Sequence, residues 1–285
     1  MKSLKIQLQK ILHNTISLLN KKNIVDPWFA SHYDYAPKII LSYLKPHLLG
    51  HDNHILDFGC GDGIMALGFQ QISKNTVTGI DLSDSFKYLS QVAKKNVSLS
   101  SLPANLNFLQ IENNTLFPFD DNSFDGIYSW SVFEHVNNIH QELYNLFRIL
   151  KPGGKLFIQI EPLFFSPYGS HLKRLIDEPW AHLLYDEPTL IKKVMAAKDN
   201  IAPKEQDMLY QKNEFEAVKE YLISEYKKLN RVTSEELLVY VQQTGFKIIR
   251  KESMRLENYK IPQKLLDKFT KTDLLTNEIR FLLSK

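Results

Sequence analysis

The sequence predicts an α/β fold, a doubly wound and mostly parallel seven-stranded sheet with an antiparallel last strand. Two observations support this prediction. From residue 54 onward, short apolar runs alternate with amphipathic segments, as in a parallel sheet with helices on both faces. Directly behind the first apolar run, the stretch "ILDFGCGDG" carries glycines at alternate positions. Parallel sheets of this kind bind their ligands at the carboxyl ends of their strands, where these glycines lie.

The elements follow one another in a regular order. The first strand, "HILDFG", precedes a helix that starts at about Ile64, and the second strand is "TVTGIDLS". The helix "DSFKYLSQVAKKN" leads to the strands "NLNFLQI" and "FDGIYSWS", and the helix "HQELYNLFRIL" leads through the turn "KPGG" into the fifth strand, "GKLFIQIEP". Near the C-terminus, Thr233 or Ser234 starts a helix that Gly245 ends. The strand "FKIIRKE", a helical "IPQKLLDKF" and the strand "EIRFLLSK" complete the sheet.

This order divides the chain into four segments. Residues 1–50 are expected to be helical, because apolar residues recur at helical spacing in the opening stretch. The family resemblance described below implies that this segment covers the ligand site. Residues 51–161 form the ligand-binding core. Residues 162–230 carry no strand signal and are predicted to be a helical lid or insertion, and residues 231–285 complete the sheet.

Composition excludes several classes of function. The net charge of +3 is spread along the chain without a basic block, so we expect no nucleic-acid partner. The single cysteine, Cys60, excludes internal disulfides and multi-cysteine metal sites, and no metal-ligand set is identified. No run approaches the ~20 apolar residues of a membrane span, and the N-terminus lacks the apolar core of a signal peptide. We therefore expect a cytoplasmic protein without a membrane span; the oligomeric state is open.

The glycine turn and the next strand end together indicate a nucleoside ligand. Glycines at alternate positions let the backbone turn tightly and approach a ligand closely. The dinucleotide-binding pattern would place its third glycine at Ile64, but here it comes at Gly63, which argues against NAD. Asp81 ends the second strand, where its carboxylate could accept hydrogen bonds from both ribose hydroxyls. The alternative is that Asp81 caps the following helix.

Several motifs in order carry a family resemblance. The stretches "HILDFGCGDG", "GIDLS", "LFPFDDNSFDGIYSWSVFEHV", "RILKPGGKLFIQ" and "TGFKI" resemble the class I S-adenosylmethionine-dependent methyltransferases, particularly those that act on small molecules. The resemblance covers residues 50–160 closely and the C-terminal part loosely. It implies a Rossmann-like fold and S-adenosylmethionine as the cofactor. It also implies that Asp57 and the backbone of Gly59 and Gly61 hold the methionine portion, that Asp81 binds the ribose, and that Leu82 packs beside the adenine.

Further contacts are implied by the same resemblance. The acid that usually faces the adenine amino group is replaced by Asn113, which keeps a carbonyl acceptor but no charge. Asn114 would bring its backbone N–H to an adenine ring nitrogen, and Ser129 would approach the methionine amino group. His135, in the motif "SVFEHV", is expected near the cofactor and acceptor, although it could simply start the next helix. Tyr33 lies in a segment that this family often folds over the ligand.

Methyl transfer to a hydroxyl needs alignment with the methyl group and removal of a proton. The candidate bases are His171 and His182 in the insertion and Glu161 at the end of the fifth strand, although Glu161 could be a solvated acid. Tyr168 and Trp180 are candidate acceptor contacts, because aromatic residues often form the walls of a pocket. The alternative is that the insertion residues form the core of a small helical cap.

The acceptor is the open question. The first hypothesis is O-methylation of a small polar metabolite, or of a sugar- or nucleotide-linked precursor of a cell-surface glycan. The aromatic insertion keeps a quinone or lipid acceptor open. Methylation of a macromolecule is an alternative, but the tetrapeptide Asn-Pro-Pro-Tyr used for amino-group methylation is absent where "SWSV" stands. A non-catalytic cofactor-binding protein is the remaining alternative.

Overall fold

A computed structural model describes residues 26–48, 52–113, 115–198 and 215–285. The helix predicted in the first twenty or so residues and the predicted contact of Asn114 lie outside these ranges. None of the helices described is both long enough and apolar enough to cross a membrane.

Within the described ranges, seven strands form one sheet in the order β3-β2-β1-β4-β5-β7-β6. The strands β1 to β5 run parallel to one another, whereas β7 runs antiparallel to both β5 and β6. The predicted fold class is therefore confirmed. The strand order reverses between β1 and β4, which is where a sheet of this kind opens a crevice for a ligand. The strands are β1 His54–Phe58, β2 Thr76–Asp81, β3 Leu106–Gln110, β4 Phe124–Trp130, β5 Leu150–Ile160, β6 Lys247–Arg255 and β7 Thr276–Ser284.

Helices connect the strands and build the insertion. An N-terminal α1 continues through a π-helical turn at Ser31–Tyr35 into α2, and a 3-10 turn at Ser85–Tyr88 precedes α4. The α-helices are α1 Pro27–Ala30, α2 Ala36–Leu44, α3 Ile64–Ser73, α4 Leu89–Val97, α5 Ile139–Ile149, α6 Ala181–Leu184, α7 Glu187–Ala196, α8 Phe215–Lys228, α9 Ser234–Thr244, α10 Gln263–Leu266 and α11 Lys271–Leu275.

Local sequence signals explain where several elements begin and end. Helix α9 starts with a capping box, in which Thr233 accepts from the backbone N–H of Glu236 and the Glu236 carboxylate accepts from Thr233. It ends at Gly245, whose φ of 96° is left-handed. The fifth strand begins earlier than predicted, at Leu150, because Leu150 pairs with Phe124 before the register shifts. The predicted "KPGG" turn is therefore part of β5.

The hydrophobic core lies on both faces of the sheet. Ile55 belongs to the cluster under α2, α3 and α4, whereas Leu56 belongs to the cluster under α5 and α9. Successive strand residues point to opposite faces, so a short apolar run in β1 supplies both clusters. The insertion has a cluster of its own, built around Phe164, Val194 and Tyr226.

The N-terminal helices pack directly on α3. A side-chain carbon added at Gly68 of α3 would lie 2.1 Å from the backbone oxygen of Tyr33. Only glycine permits this approach, because a contact that short would force backbone apart. The segment around Tyr33 is thereby placed against the middle of α3, the helix that follows the glycine turn.

Candidate functional site

A cavity of about 630 Å³ opens at the carboxyl ends of β1 and β2. Its floor is the glycine turn after β1, and its sides are the end of β2, the loop after β3 and the turn after β4. The lining residues include Trp28, Gly59, Gly61, Asp81, Leu82, Asn113, Ser131, His135, Tyr221, Glu225 and Lys228. This is the position where the sequence predicted a ligand site.

The glycine turn is held against the end of β2 by backbone hydrogen bonds. The N–H groups of Gly59 and Cys60 both donate to the Ile80 carbonyl, at 2.9 and 3.0 Å, and the Cys60 thiol is buried. The N–H of Gly61 donates to Asp81 Oδ2 at 2.9 Å. These hydrogen bonds therefore join the ends of β1 and β2.

The glycines of this turn serve different purposes. Gly59 and Gly61 have positive φ angles of 80° and 53°, which other residues rarely adopt. A side-chain carbon added at Gly59 would lie 2.3 Å from Val132, so glycine is needed there for packing. One added at Gly61 would meet nothing within 4 Å and would project into open space beside the cavity. Gly61 therefore leaves room for a ligand.

Two buried polar atoms beneath the turn lack hydrogen-bond partners among the described residues. They are Asp57 Oδ2, at the end of β1, and Ser129 Oγ, in β4. The pKa of Asp57 is raised to about 8, mainly by burial; the Tyr128 hydroxyl acts against this rise, and the negative charges of Asp81 and Asp62 contribute to it. Neither Asp57 nor Ser129 lines the cavity itself. A ligand that reached below the turn with an amino group would supply the missing donor, because buried polar groups are normally paired.

Asp81 presents its carboxylate at the cavity in a fixed orientation. Its Oδ2 accepts from the Gly61 N–H, and its Oδ1 accepts from the Ser83 N–H at 2.8 Å. Each carboxylate oxygen keeps a further lone-pair direction for a hydroxyl donor. Asp84, and not Asp81, precedes the next helical turn, so the alternative role of Asp81 as a helix cap is wrong. Leu82 is 54% exposed and, with Asn113, lines the same cavity.

In the N-terminal segment, Trp28 lines the cavity and Tyr33 does not. The Trp28 indole contacts the His32 ring at 3.6 Å between centroids, with the ring planes tilted by 34°, and its N–H donates to Asp62 Oδ2 at 3.4 Å. Tyr33 stacks on Phe29 at 5.0 Å between ring centroids. The expectation that Tyr33 contacts a ligand is thus corrected, because its ring is used in packing on the N-terminal helices.

A second cavity of about 870 Å³ lies between the end of β5 and the insertion. The Glu161 carboxylate at its edge accepts from the Asn277 amide at 2.8 Å. The Tyr168 hydroxyl donates to Asp177 at 2.7 Å. Other lining residues are His171, Lys173, Arg174, Lys198 and Tyr259. This cavity is polar and aromatic, and three cationic side chains surround it.

Two histidines connect the two cavities. His135 lines the first and His171 the second, and their rings meet edge to face with centroids 5.2 Å apart. Burial lowers the pKa of His135. Burial also lowers the pKa of His171 to about 4, with a smaller effect from the neighbouring His135. Both rings are therefore neutral at neutral pH, and each can offer a nitrogen lone pair.

His182 and Trp180 do not reach either cavity. His182 is 7% exposed, packs against the Phe164 ring and lies 2.7 Å from the Phe164 carbonyl through Nε2. The Trp180 indole N–H contacts the carbonyls of Phe165 and Leu274, both at 3.2 Å. The prediction of a catalytic His182 and an acceptor-binding Trp180 is corrected, since both side chains form the core of the insertion and its contact with the C-terminal segment.

The sequence interpretation missed one side of the first cavity. Helix α8 contributes Tyr221, Glu225 and Lys228 to the lining. These residues stand at positions i, i+4 and i+7, which lie on one face of a helix. That spacing is the sequence signal that could have identified them. Ser131, immediately after β4, was also missed; its hydroxyl donates to Gln159 Oε1 at 3.1 Å.

The chain is similar in sequence to known methyltransferases. A family described as "Methyltransferase domain" matches residues 29–251. A ubiquinone biosynthesis O-methyltransferase from Coxiella burnetii is 32% identical over 130 residues, which are 45% of this chain and 52% of that protein. A demethylmenaquinone methyltransferase from Symbiobacterium thermophilum is 35% identical over 111 residues, 38% of this chain and 42% of the relative. The chain thus spans about half the length of the curated relatives it matches.

Solved structures show the same fold. An S-adenosylmethionine-dependent methyltransferase from Methanosarcina mazei has a TM-score of 0.50 and 21% identity, over 87% of this chain and 96% of that one. A geranyl diphosphate methyltransferase in complex with S-adenosylmethionine has a TM-score of 0.52 and 11% identity, over 87% and 84% of the two chains.

Proposed function

This chain belongs to the methyltransferase-domain family, and we propose that it is an S-adenosylmethionine-dependent enzyme that methylates a hydroxyl group of a small molecule. The observation that carries the proposal is the meeting of the two cavities at His135 and His171. The first cavity would hold the cofactor, and the second, whose lining is polar, would hold the acceptor next to it.

The first cavity is proposed to hold the cofactor. Asp81 would accept from the ribose hydroxyls, and Leu82 and Asn113 would contact the adenine. The open space at Gly61 and the unpartnered Asp57 Oδ2 support a position of the methionine portion over the glycine turn, with Ser129 beneath it. When bound, the cofactor supplies an activated methyl group on its sulfonium. The protein's own contribution is to orient the acceptor and to remove its proton.

The second cavity is proposed to bind the acceptor. A hydroxyl that entered beside Tyr168 would meet His171 and Glu161 on its way to the first cavity. Either side chain could take the hydroxyl proton from that position. A small polar acceptor, such as a sugar- or nucleotide-linked molecule, suits the charged and hydroxyl-bearing lining. The division into a core, residues 51–161, and an acceptor-binding insertion, residues 162–230, is part of this proposal.

A quinol acceptor is the second candidate. Two observations support a quinol. Relatives of this chain are named for ubiquinone and demethylmenaquinone methylation. The aromatic rings of Tyr168 and Tyr259, which could contact a quinol ring, lie at the second cavity with centroids 5.9 Å apart. Those relatives match less than half of this chain, so their acceptors are not transferred to it directly.

The transfer assay separates these candidates. The full chain is incubated with S-adenosylmethionine carrying a labelled methyl group and with two acceptor panels, sugar nucleotides and dihydroxyphenols. We expect label in an ether that survives alkaline hydrolysis, identified by mass spectrometry. The His171→Ala variant should lose about 100-fold or more in turnover with cofactor affinity intact, whereas the exposed His140→Ala should not. Label found only on amines or on protein would refute O-methylation of a small molecule.

Binding of the demethylated product, S-adenosylhomocysteine, is expected to release a proton from Asp57. With a pKa of about 8, the ligand-free Asp57 carboxyl is largely protonated at pH 7. A cationic amino group placed beside it favours the carboxylate and lowers that pKa. Affinity should therefore rise with pH up to about 8 and then level off. Calorimetry at pH 7 in phosphate and in Tris measures the released proton as a difference in apparent enthalpy.

The Asp57→Asn variant tests whether the released proton comes from Asp57. It should still bind the product, more weakly, but with the same apparent enthalpy in both buffers. Equal enthalpies for the unmodified protein would show that Asp57 does not exchange its proton on binding. The same raised pKa also means that the ligand-free protein loses stability as the pH rises toward about 8, because the folded chain holds a proton that the unfolded chain releases.

A further inference from the structure

Four buried polar atoms that find no hydrogen-bond partner within the described part of the chain belong to three neighbouring side chains. They are both carboxylate oxygens of Glu134, Nδ1 of His135 and Nε2 of His171. One ligand atom from each of the three residues lies within 4.8 Å of the others. We propose that Glu134, His135 and His171 hold a divalent transition-metal ion between the two cavities.

A cation would stabilise the buried carboxylate of Glu134. Glu134 is 5% exposed, and neither of its oxygens has a donor among the described residues. Burial of a carboxylate without a partner is unfavourable, whereas coordination of a metal ion compensates for the lost hydration. Two imidazoles face it, each with a nitrogen that lacks a partner among the described residues, and imidazoles are metal ligands in their neutral form. The negative charge of Glu161 also acts on Glu134, and a cation would offset it.

The chemistry of the ligands selects the class of ion. Two imidazole nitrogens and one carboxylate oxygen suit Zn²⁺, Mn²⁺ or Fe²⁺, whereas Mg²⁺ and Ca²⁺ prefer oxygen ligands throughout. Three protein ligands also leave a coordination position open, as in catalytic rather than structural zinc sites. That open position would lie where the two cavities meet, at the contact of His135 with His171.

The geometry needs only a small adjustment to bind an ion. Ligand atoms at about 2.1 Å from one ion are at most about 4.2 Å apart. The three ligand atoms here all lie within 4.8 Å of one another. Glu134 and His135 stand on a turn that Asn230 holds, through its N–H to the Glu134 carbonyl at 2.9 Å and its amide to the Val136 carbonyl at 3.1 Å. His171 comes from the insertion, so the ion would join the insertion to the sheet.

A role of the ion in catalysis rests on the proposed O-methyl transfer. In that reaction the ion would bind the acceptor oxygen and make the hydroxyl proton easier to remove. His171 would then be a ligand, and Glu161 would take the proton. The new bond forms between the acceptor oxygen and the methyl carbon, and the sulfur keeps the electron pair of the bond that breaks. Metal binding itself needs no acceptor and can be measured alone.

The test is metal binding to the untagged full chain. After treatment with a chelator and dialysis, the protein is titrated with Co²⁺, whose visible absorption reports coordination, and then with Zn²⁺ as competitor. We expect one equivalent to bind, and the affinity to fall by about 100-fold or more in His171→Gln and in Glu134→Gln, since even residues that only support ligands are worth about 10- to 100-fold. His140→Gln, which changes an exposed histidine, should bind the metal normally.

Affinity for S-adenosylhomocysteine is measured on every variant, so that loss of the metal is distinguished from loss of the fold. A protein that binds the product normally but takes up no stoichiometric Co²⁺ or Zn²⁺ overturns the proposal, as does equal metal affinity in His171→Gln and His140→Gln. Methyl transfer that persists in chelator would leave the O-methyltransferase function standing and remove the ion from it.

Discussion

Gly61→Val is expected to reduce the affinity for S-adenosylhomocysteine by about 1,000-fold or more while the protein remains folded. A side chain at Gly61 would project into open space beside the cavity, where the structure offers it no clash. The cost to folding is thus limited to the left-handed backbone at φ 53°, about 1 to 2 kcal/mol. The cost to binding is larger, because the branched side chain would occupy the volume proposed for the ligand. Calorimetry and thermal unfolding of the same samples measure both quantities.

Gly153→Val is the matched control for this experiment. Gly153 has a φ of 79°, and an added side-chain carbon would also meet nothing within 4 Å. It lies in β5 and does not line the cavity. We expect a similar loss of stability in the two variants and normal binding only in Gly153→Val. Normal binding by a folded Gly61→Val protein would contradict the placement of the cofactor over the turn.

Asp81→Ala is expected to weaken product binding by about 2 to 4 kcal/mol, or roughly 30- to 1,000-fold. The variant removes the acceptor proposed for the ribose hydroxyls, and it also releases the Gly61 and Ser83 N–H groups that now donate to this carboxylate. The loss should appear in the dissociation constant, with a smaller decrease in thermal stability.

Two further variants separate the contributions at Asp81. Asp84→Ala removes an exposed carboxylate nearby and should leave affinity unchanged. Asp81→Asn keeps one oxygen acceptor and should lie between the unmodified protein and Asp81→Ala. Equal product affinity in Asp81→Ala and Asp84→Ala would show that the ribose is bound elsewhere.

The sequence predicted the parts of this site that depend on local patterns and on sheet geometry. Alternate glycines after an apolar run predicted the turn at Gly59 and Gly61. The contact of Gly61 with Asp81 joins two strand ends, and it was predictable because neighbouring parallel strands end at the same edge of a sheet. These features follow from the covalent order of the chain and a fold class that the alternating pattern specifies.

The insertion was less predictable because its folding depends on contacts between distant residues. His171 and His182 stand in the same aromatic stretch, and no local pattern distinguishes them. Only the packing of His182 against Phe164 places it in the core of the insertion, while His171 reaches across to His135. The contribution of α8 to the first cavity likewise depends on tertiary packing.

The buried thiol in the glycine turn gives the protein a probe of its own motion. Cys60 is the single cysteine of the chain, and burial raises the pKa of its thiol, so it resists alkylation while the turn is closed. Its sulfur rests against Gly79 of β2, and its backbone N–H binds Ile80, so the reagent gains access only when the turn separates from that strand. The rate of alkylation therefore measures how often the glycine turn opens, without any introduced label.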